Sequence, residues 1–149
     1  PGVRIHTEKA TPIGAILRPD HPLAERDVLE IGELSTFQVV ASFDSAQRQS
    51  FLNDAVTEAH AELPSQLITN YLPLARSLVL NNQGIGIYSK IGFLEDIEQG
   101  LLRYIGILSP VLKNLKIGIL TPSRIQQTSA THLMARALSK AIKVLKLDS

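Results

Sequence analysis

The sequence contains no cysteine, no tryptophan and a single methionine, and aromatic residues make up 5% of its 149 positions. Without cysteine there is no disulfide framework, no thiol nucleophile and no cysteine-ligated zinc or iron–sulfur site. No apolar run approaches the ~20 residues that span a bilayer, and no signal peptide opens the chain. A cytoplasmic setting without membrane contact is the expectation. An excess of one charge is also missing. Fifteen basic and fourteen acidic residues leave a net +1, unlike the basic stripe of a nucleic-acid binder. His6, His21, His60 and His132 are widely separated and form no HxxxH or HExxH pair, so they read as turn or solvated residues. No metal and no cofactor is expected. There is no GxSxG elbow. Gly84-Ile85-Gly86 lacks the third glycine of a dinucleotide fingerprint and precedes a strand instead of following one. Glu95, Asp96 and Glu98 read as the wet face of one short helix. No residue set points to a reaction.

What is present is an ordinary globular composition, 44% apolar and 19% charged. Short apolar or β-branched runs predict strands at 14–18, 37–41, 66–69, 84–88 and 115–120. Helical spacing predicts helices at 46–60, 70–82, 93–98 and 129–145. Asp44 or Ser45 would cap the first of these, with Gln47 completing a capping box. Pro73 falls in the first turn of the second, and Gly100 stops the third. In the last, Met134, Leu138, Ala141, Ile142 and Leu145 form the apolar face, and Arg136, Lys140, Lys143 and Lys146 stay in water. Strands alternating with helices define an α/β fold with a largely parallel sheet. Ligands of such sheets bind beyond the carboxyl ends of the strands. That directs attention to 42–45, to Thr69 and Asn70, and to 88–92. Hydroxyls and free N–H groups at helix starts suit an anionic group. Plain N-capping accounts for the same residues.

The order of several motifs adds a resemblance. Arg18-Pro19-Asp20-His21-Pro22-Leu23-Ala24 resembles the "HPLA" signature of LysR-type transcriptional regulators, and Ile31-Gly32-Glu33-Leu34 is similar to their short "L-x-x-L" element. Thr69-Asn70 through Asn82-Gln83-Gly84-Ile85-Gly86-Ile87 resembles that family's strand, helix and "G-x-G-aliphatic" strand. Residues 93–102 fit "V-x-x-x-L-x-x-G-x-L", with Gly100 and Leu102 in place. Residues 117–120 and the final helix match the closing pattern. From about 13 to 147 the chain is similar to the effector-binding domain of these regulators.

The resemblance implies a two-lobed fold like that of periplasmic binding proteins, with a small-molecule effector in the cleft. Residues 19–116 would form one lobe, and 1–18 with 117–149 would be pieces of the other. Thr69, Asn70, Ser42, Ser45, Tyr88 and Ser89 would face the effector. Leu17, Arg18, Pro19, Ile119, Leu120 and Thr121 would form the hinge. Ser89 stands where the family often has proline. DNA would be contacted only by a winged helix-turn-helix outside this sequence, and the regulator would be a homo-oligomer. A stand-alone solute-binding module and an enzyme on an α/β scaffold are the alternatives.

Overall fold

The structure, a computed structural model, describes residues 2–42 and 50–147. In chain order its strands are β1 (Val3–Ala10), β2 (Ile13–Leu17), β3 (Val28–Leu29), β4 (Val39–Ala41), β5 (Gln66–Ile68), β6 (Ile85–Ser89), β7 (Arg103–Ile107) and β8 (Lys116–Pro122). The helices are α1 (Phe51–Glu58), α2 (Leu72–Leu80), α3 (Leu94–Glu98), α4 (Pro110–Lys113) and α5 (Ser129–Val144).

Six strands form one sheet in the order β3-β7-β2-β6-β4-β5. The neighbours β3–β7, β4–β6 and β4–β5 are parallel, as the strand–helix alternation predicts, but β2 runs antiparallel to both β6 and β7. The sheet is therefore mixed. β1 and β8 form a separate antiparallel pair, and α5 packs on both. The expected division at residue 19 does not match these sheets, because β2 lies at the centre of the larger one. The chain passes between sheets at Thr11–Pro12 and again just before Lys116. The error has a physical source. β1 (Val-Arg-Ile-His-Thr-Glu-Lys-Ala) alternates apolar with charged residues and has no continuous apolar run, so the apolar run of β2 stood in for it.

The larger sheet is covered on both faces. Ala15, Leu17, Val39, Ile85 and Ile105 point into one apolar cluster beneath α1 and α4. Ile16, Val79, Phe93 and Leu102 form the other, beneath α2 and α3. Asp96 does not belong to a wet face: it is 2% exposed and accepts two hydrogen bonds from Arg76, at 2.7 and 2.5 Å. This bidentate pair ties α3 to α2.

Local chemistry moves several boundaries. α1 starts at Phe51, because the Ser50 hydroxyl accepts from the Asn53 N–H at 3.4 Å and caps it. The caps expected at Asp44, Ser45 and Gln47 lie outside the described residues. The apolar face expected for α5 is only partly buried. Ile142 and Ala135 are covered, whereas Met134 and Leu138 are exposed. Two strands are too narrow to cover a helix face.

Candidate functional site

Sheet register fixes which chain ends meet. Parallel pairing brings the carboxyl ends of β4, β5 and β6 to one edge, at Ala41, Ile68 and Ser89. Antiparallel β2 begins there, with Ile13 opposite Ser89. β7 and β3 finish there as well, since Gly14 pairs with Gly106 and Leu29 with Ile107. Both crossovers to the β1–β8 pair run past this edge, and the Thr11 N–H donates to the Leu115 carbonyl at 2.9 Å. The crossovers to the smaller unit thus leave from the edge at which these strands end.

Most of the expected site residues come together here. The Thr69 N–H donates to the Ala41 carbonyl at 2.9 Å, which sets Thr69 beside exposed Ser42. The Tyr88 hydroxyl donates to the Thr69 carbonyl at 3.5 Å, and its ring lies 5.5 Å from that of Phe93. Asn70 is exposed, and Ser89 is half-buried and opens a 3-10 turn, Lys90–Gly92. Ser45 lies outside the described residues.

Asn70 is not the cap of α2. Tyr71 holds that position without any side-chain cap bond, and the Tyr71 N–H is accepted by the Thr69 hydroxyl at 3.1 Å. Pro73 contributes no N–H, and the Leu74 N–H turns back to the Tyr71 carbonyl at 3.0 Å. The start of α2 consequently offers fewer free donors than a helix N-terminus usually has. Recognition of an anion would fall to side chains.

Tyr104 at this edge was missed, and Lys90 fell within the expected segment 88–92 without being singled out. Lys90 follows Ser89 directly, and its ammonium lies 4.8 Å above the centre of the Tyr104 ring, a cation–π distance. The Tyr104 hydroxyl donates to the Pro12 carbonyl at 3.2 Å, bracing the first crossover. Gly14 makes room for that ring, since a Cβ there would lie 2.6 Å from it. Burial pushes the phenols of Tyr88 and Tyr104 above their ordinary range, so both remain hydrogen-bond donors at neutral pH. Beside Tyr104 a cavity of about 280 Å³ is lined by Pro12, Ile13, Val28, Gly106 and Lys113. Lys90 was legible only from adjacency. Tyr104 sat in a strand that had not been recognised.

The expected hinge does not coincide with the crossovers. Leu17 pairs with Arg103 at the opposite edge of the larger sheet, Arg18 donates to the Leu80 carbonyl at 3.1 Å, and Pro19 lies in the turn that follows. Ile119, Leu120 and Thr121 lie within β8, paired with Thr7, Ile5 and Arg4. Residues held in a ladder cannot absorb the backbone rotation a hinge needs.

Among the described residues, no group of histidines and carboxylates could hold a metal ion, and no helix is long and apolar enough to cross a membrane. A mixed sheet with helices on both faces, joined by two adjacent crossovers to a second small sheet, is the architecture of a periplasmic-binding-protein-like effector domain. The chain belongs to the LysR substrate binding domain family, whose model matches residues 1–143. Solved structures agree. The regulatory domain of MetR, a LysR family regulator from N. meningitidis, aligns with 99% of this chain and 68% of its own length (14% identity, TM-score 0.68). The effector binding domain of QuiR, in complex with shikimate, aligns with 95% of this chain and 67% of its own (14% identity, TM-score 0.68). The Synechocystis PCC6803 CcmR regulatory domain, in complex with 2-PG, aligns with 96% and 67% (15% identity, TM-score 0.68). No curated protein sequence matches the chain.

Proposed function

We propose that this chain senses a small-molecule effector for a LysR-type transcriptional regulator, and that it carries regulation and no catalysis. The effector would sit against the carboxyl edge of the six-stranded sheet, between it and the β1–β8 unit. The observation that supports this most is the convergence of Ser42, Thr69, Tyr88, Ser89 and Lys90 on the edge the two crossovers run past. Asn70, next to Thr69, belongs to the same corner. The hinge would be Thr11–Pro12 and Asn114–Leu115. Shikimate in QuiR and 2-PG in CcmR indicate a small, oxygen-rich acid as the class of ligand. Lys90 would supply the positive charge, and the Thr69, Ser42 and Ser89 hydroxyls the polar contacts. An effector that favours one arrangement of the two units would shift the population passed on to a DNA-binding domain. DNA contact and assembly into an oligomer are proposals for the whole regulator.

A thermal-shift panel of small hydroxy-acids and phosphorylated acids, headed by shikimate, is the first experiment. Calorimetric titration of the best binder into Thr69→Val and Lys90→Gln then locates the site. Lys90→Gln removes a charge-assisted bond, so affinity should fall by about 1.5–3 kcal/mol with little change in melting temperature. Thr69→Val should also weaken binding, and should cost about 1 kcal/mol of stability through the lost Tyr71 contact. Undiminished affinity in both variants would move the ligand elsewhere.

A further inference from the structure

Three glycines lie within strands of the larger sheet: Gly14 in β2, Gly86 in β6 and Gly106 in β7. Packing explains two of them. A Cβ at Gly14 would lie 2.5 Å from the Ile105 carbonyl oxygen and 2.6 Å from the Tyr104 ring, and one at Gly86 would crowd Val79 at 3.1 Å. Gly106 is different. A Cβ there would meet nothing within 4 Å, although β7 is an inner strand between β3 and β2. A glycine inside a strand weakens it, because it has no side chain to pack and loses more entropy on folding. Among the described residues, nothing takes up the room that Gly106 leaves.

Register shows where that room lies. Gly106 pairs with Val28 on one side and with Gly14 on the other, and Gly14 in turn pairs with Tyr88. Cross-strand partners share a face, and so do residues two apart in one strand. Val28, Gly106, Gly14 and Tyr88 therefore form one row across four strands, with Tyr104 on the same face. Tyr104 leans over Gly14, its hydroxyl held by the Pro12 carbonyl at 3.2 Å, and so leaves Gly106 open. The cavity of about 280 Å³ lies here, lined by Gly106, Tyr104 and Val28 together with Pro12, Ile13 and Leu108. Asp27 and Lys113 also reach it; both are exposed and their charges are opposite, so they give the slot no net sign. Apolar contact decides what it holds.

Size and shape narrow the occupant. An apolar cavity of about 150 Å³ is enough to hold benzene. The slot therefore admits one six-membered ring with a substituent. A glycine on one side and an aromatic ring on the other favour a flat body. The positive charge nearby belongs to Lys90, whose ammonium rests 4.8 Å from the centre of the same Tyr104 ring that lines the slot.

We infer that the Gly106 slot takes the six-membered ring of an acid whose carboxylate lies at Lys90. The inference rests on the reading of the sheet edge as the effector site, and it narrows the ligand class there to ring-bearing acids over open-chain acids of equal charge. Gly106 sets the depth of the slot, and Tyr104 couples it to the charged end.

The test is an NMR titration of the labelled chain with benzoate, with benzyl alcohol (the ring without the charge) and with acetate (the charge without the ring). The two ring probes should give saturable shifts at residues 12–13, 28 and 104–108, and acetate should give none there. Gly106→Val puts a β-branched side chain into the slot, in a strand that favours one. It should weaken both ring probes about tenfold or more, as loss of one buried apolar group implies, while the melting temperature holds or rises. Val28→Phe narrows the slot from the edge strand and keeps the test decisive if Gly106→Val does not fold. Gly32→Ala, where a Cβ also meets nothing, should leave both affinities within about twofold. Lys90→Gln should weaken benzoate several-fold and leave benzyl alcohol unchanged. Benzoate lost in Gly106→Val yet indifferent to Lys90→Gln would contradict the edge reading and leave the slot as a ring site. Ring probes that fail to saturate, that bind Gly106→Val and Val28→Phe undiminished, or that shift the same residues as acetate would overturn the slot itself.

Discussion

The two sheets of this chain solve the burial problem differently. The six-stranded sheet has apolar clusters on both faces, and Ile16, Leu17, Val39, Ile85 and Phe93 are all at most 1% exposed. Among the described residues the β1–β8 pair packs mainly against α5. Val3, Ile5 and Leu120 remain more than half exposed, as do Leu133, Met134 and Val144 on α5. A two-stranded sheet with a half-covered helix is marginal by itself. The two buried apolar clusters therefore lie about the larger sheet, and the smaller unit joins it through the paired crossovers. The proposed sensing role would draw on that asymmetry, because the low-stability part of a protein is the part a ligand can move.

Core truncation should separate the regions most sharply. Phe93→Ala in the larger sheet's second cluster should cost about 3–5 kcal/mol in urea unfolding. Leu133→Ala, 66% exposed on α5, should change stability by less than about 0.5 kcal/mol. Comparable losses would erase the distinction. Next in size is Arg76→Ala, which strands the Asp96 carboxylate at 2% exposure and should cost about 3 kcal/mol. Asp96→Asn should be milder, since no buried charge is left behind. A smaller loss in Arg76→Ala than in Asp96→Asn would contradict the pairing.

The exposed apolar residues of the smaller unit sharpen the comparison through association. Among the described residues β8 pairs only with β1, and Leu120, Met134 and Leu138 are exposed. Sedimentation at rising concentration should show self-association, reduced in Leu138→Lys. A clean monomer for the unchanged chain would argue that this surface is inert. The smallest effect concerns His21, whose ring lies 4.8 Å from that of Phe37. Burial holds its imidazole below the ordinary range, with Asp20 opposing that shift. The unfolded state therefore takes up the proton first as pH falls. Stability contributed by His21 is complete above its ordinary value of about 6.5 and declines below it. Melting temperatures at pH 7.5 and 5.5 should differ less in His21→Gln than in the unchanged chain.

Sequence reasoning worked where signals were local and strongly periodic. The runs that became β4, β5, β6 and β8 were read as strands, and α2, α3 and α5 were each placed to within about two residues. The corners at Ser42, Thr69 and Tyr88 were expected because ligands of such sheets bind beyond the carboxyl ends of parallel strands, and all three lie at that edge. What failed depended on the neighbours a segment acquires in three dimensions. β1 is amphipathic with charged residues, β3 has two residues, and β7 looks apolar without any flanking signal to separate strand from loop. Missing β1 put the expected boundary between the sheets at residue 19, whereas the chain changes sheets at residues 11–12. Asp96 followed the helical pattern of a solvated face, and nothing local announced Arg76 twenty positions earlier. Thr69 lies at the expected corner, but the bond of its hydroxyl to the Tyr71 N–H follows from the turn itself.

Native-state hydrogen exchange tests the central claim most directly, namely that the smaller unit opens about crossovers at Thr11–Pro12 and Asn114–Leu115 while the larger sheet stays intact. The account predicts that amides of β1 and β8 exchange by a sub-global opening, well before those of β2, β6 and β7, with the break in protection at residues 11–12 and 114–115. Equal protection in both sheets, or a break at residues 17–19, would contradict it.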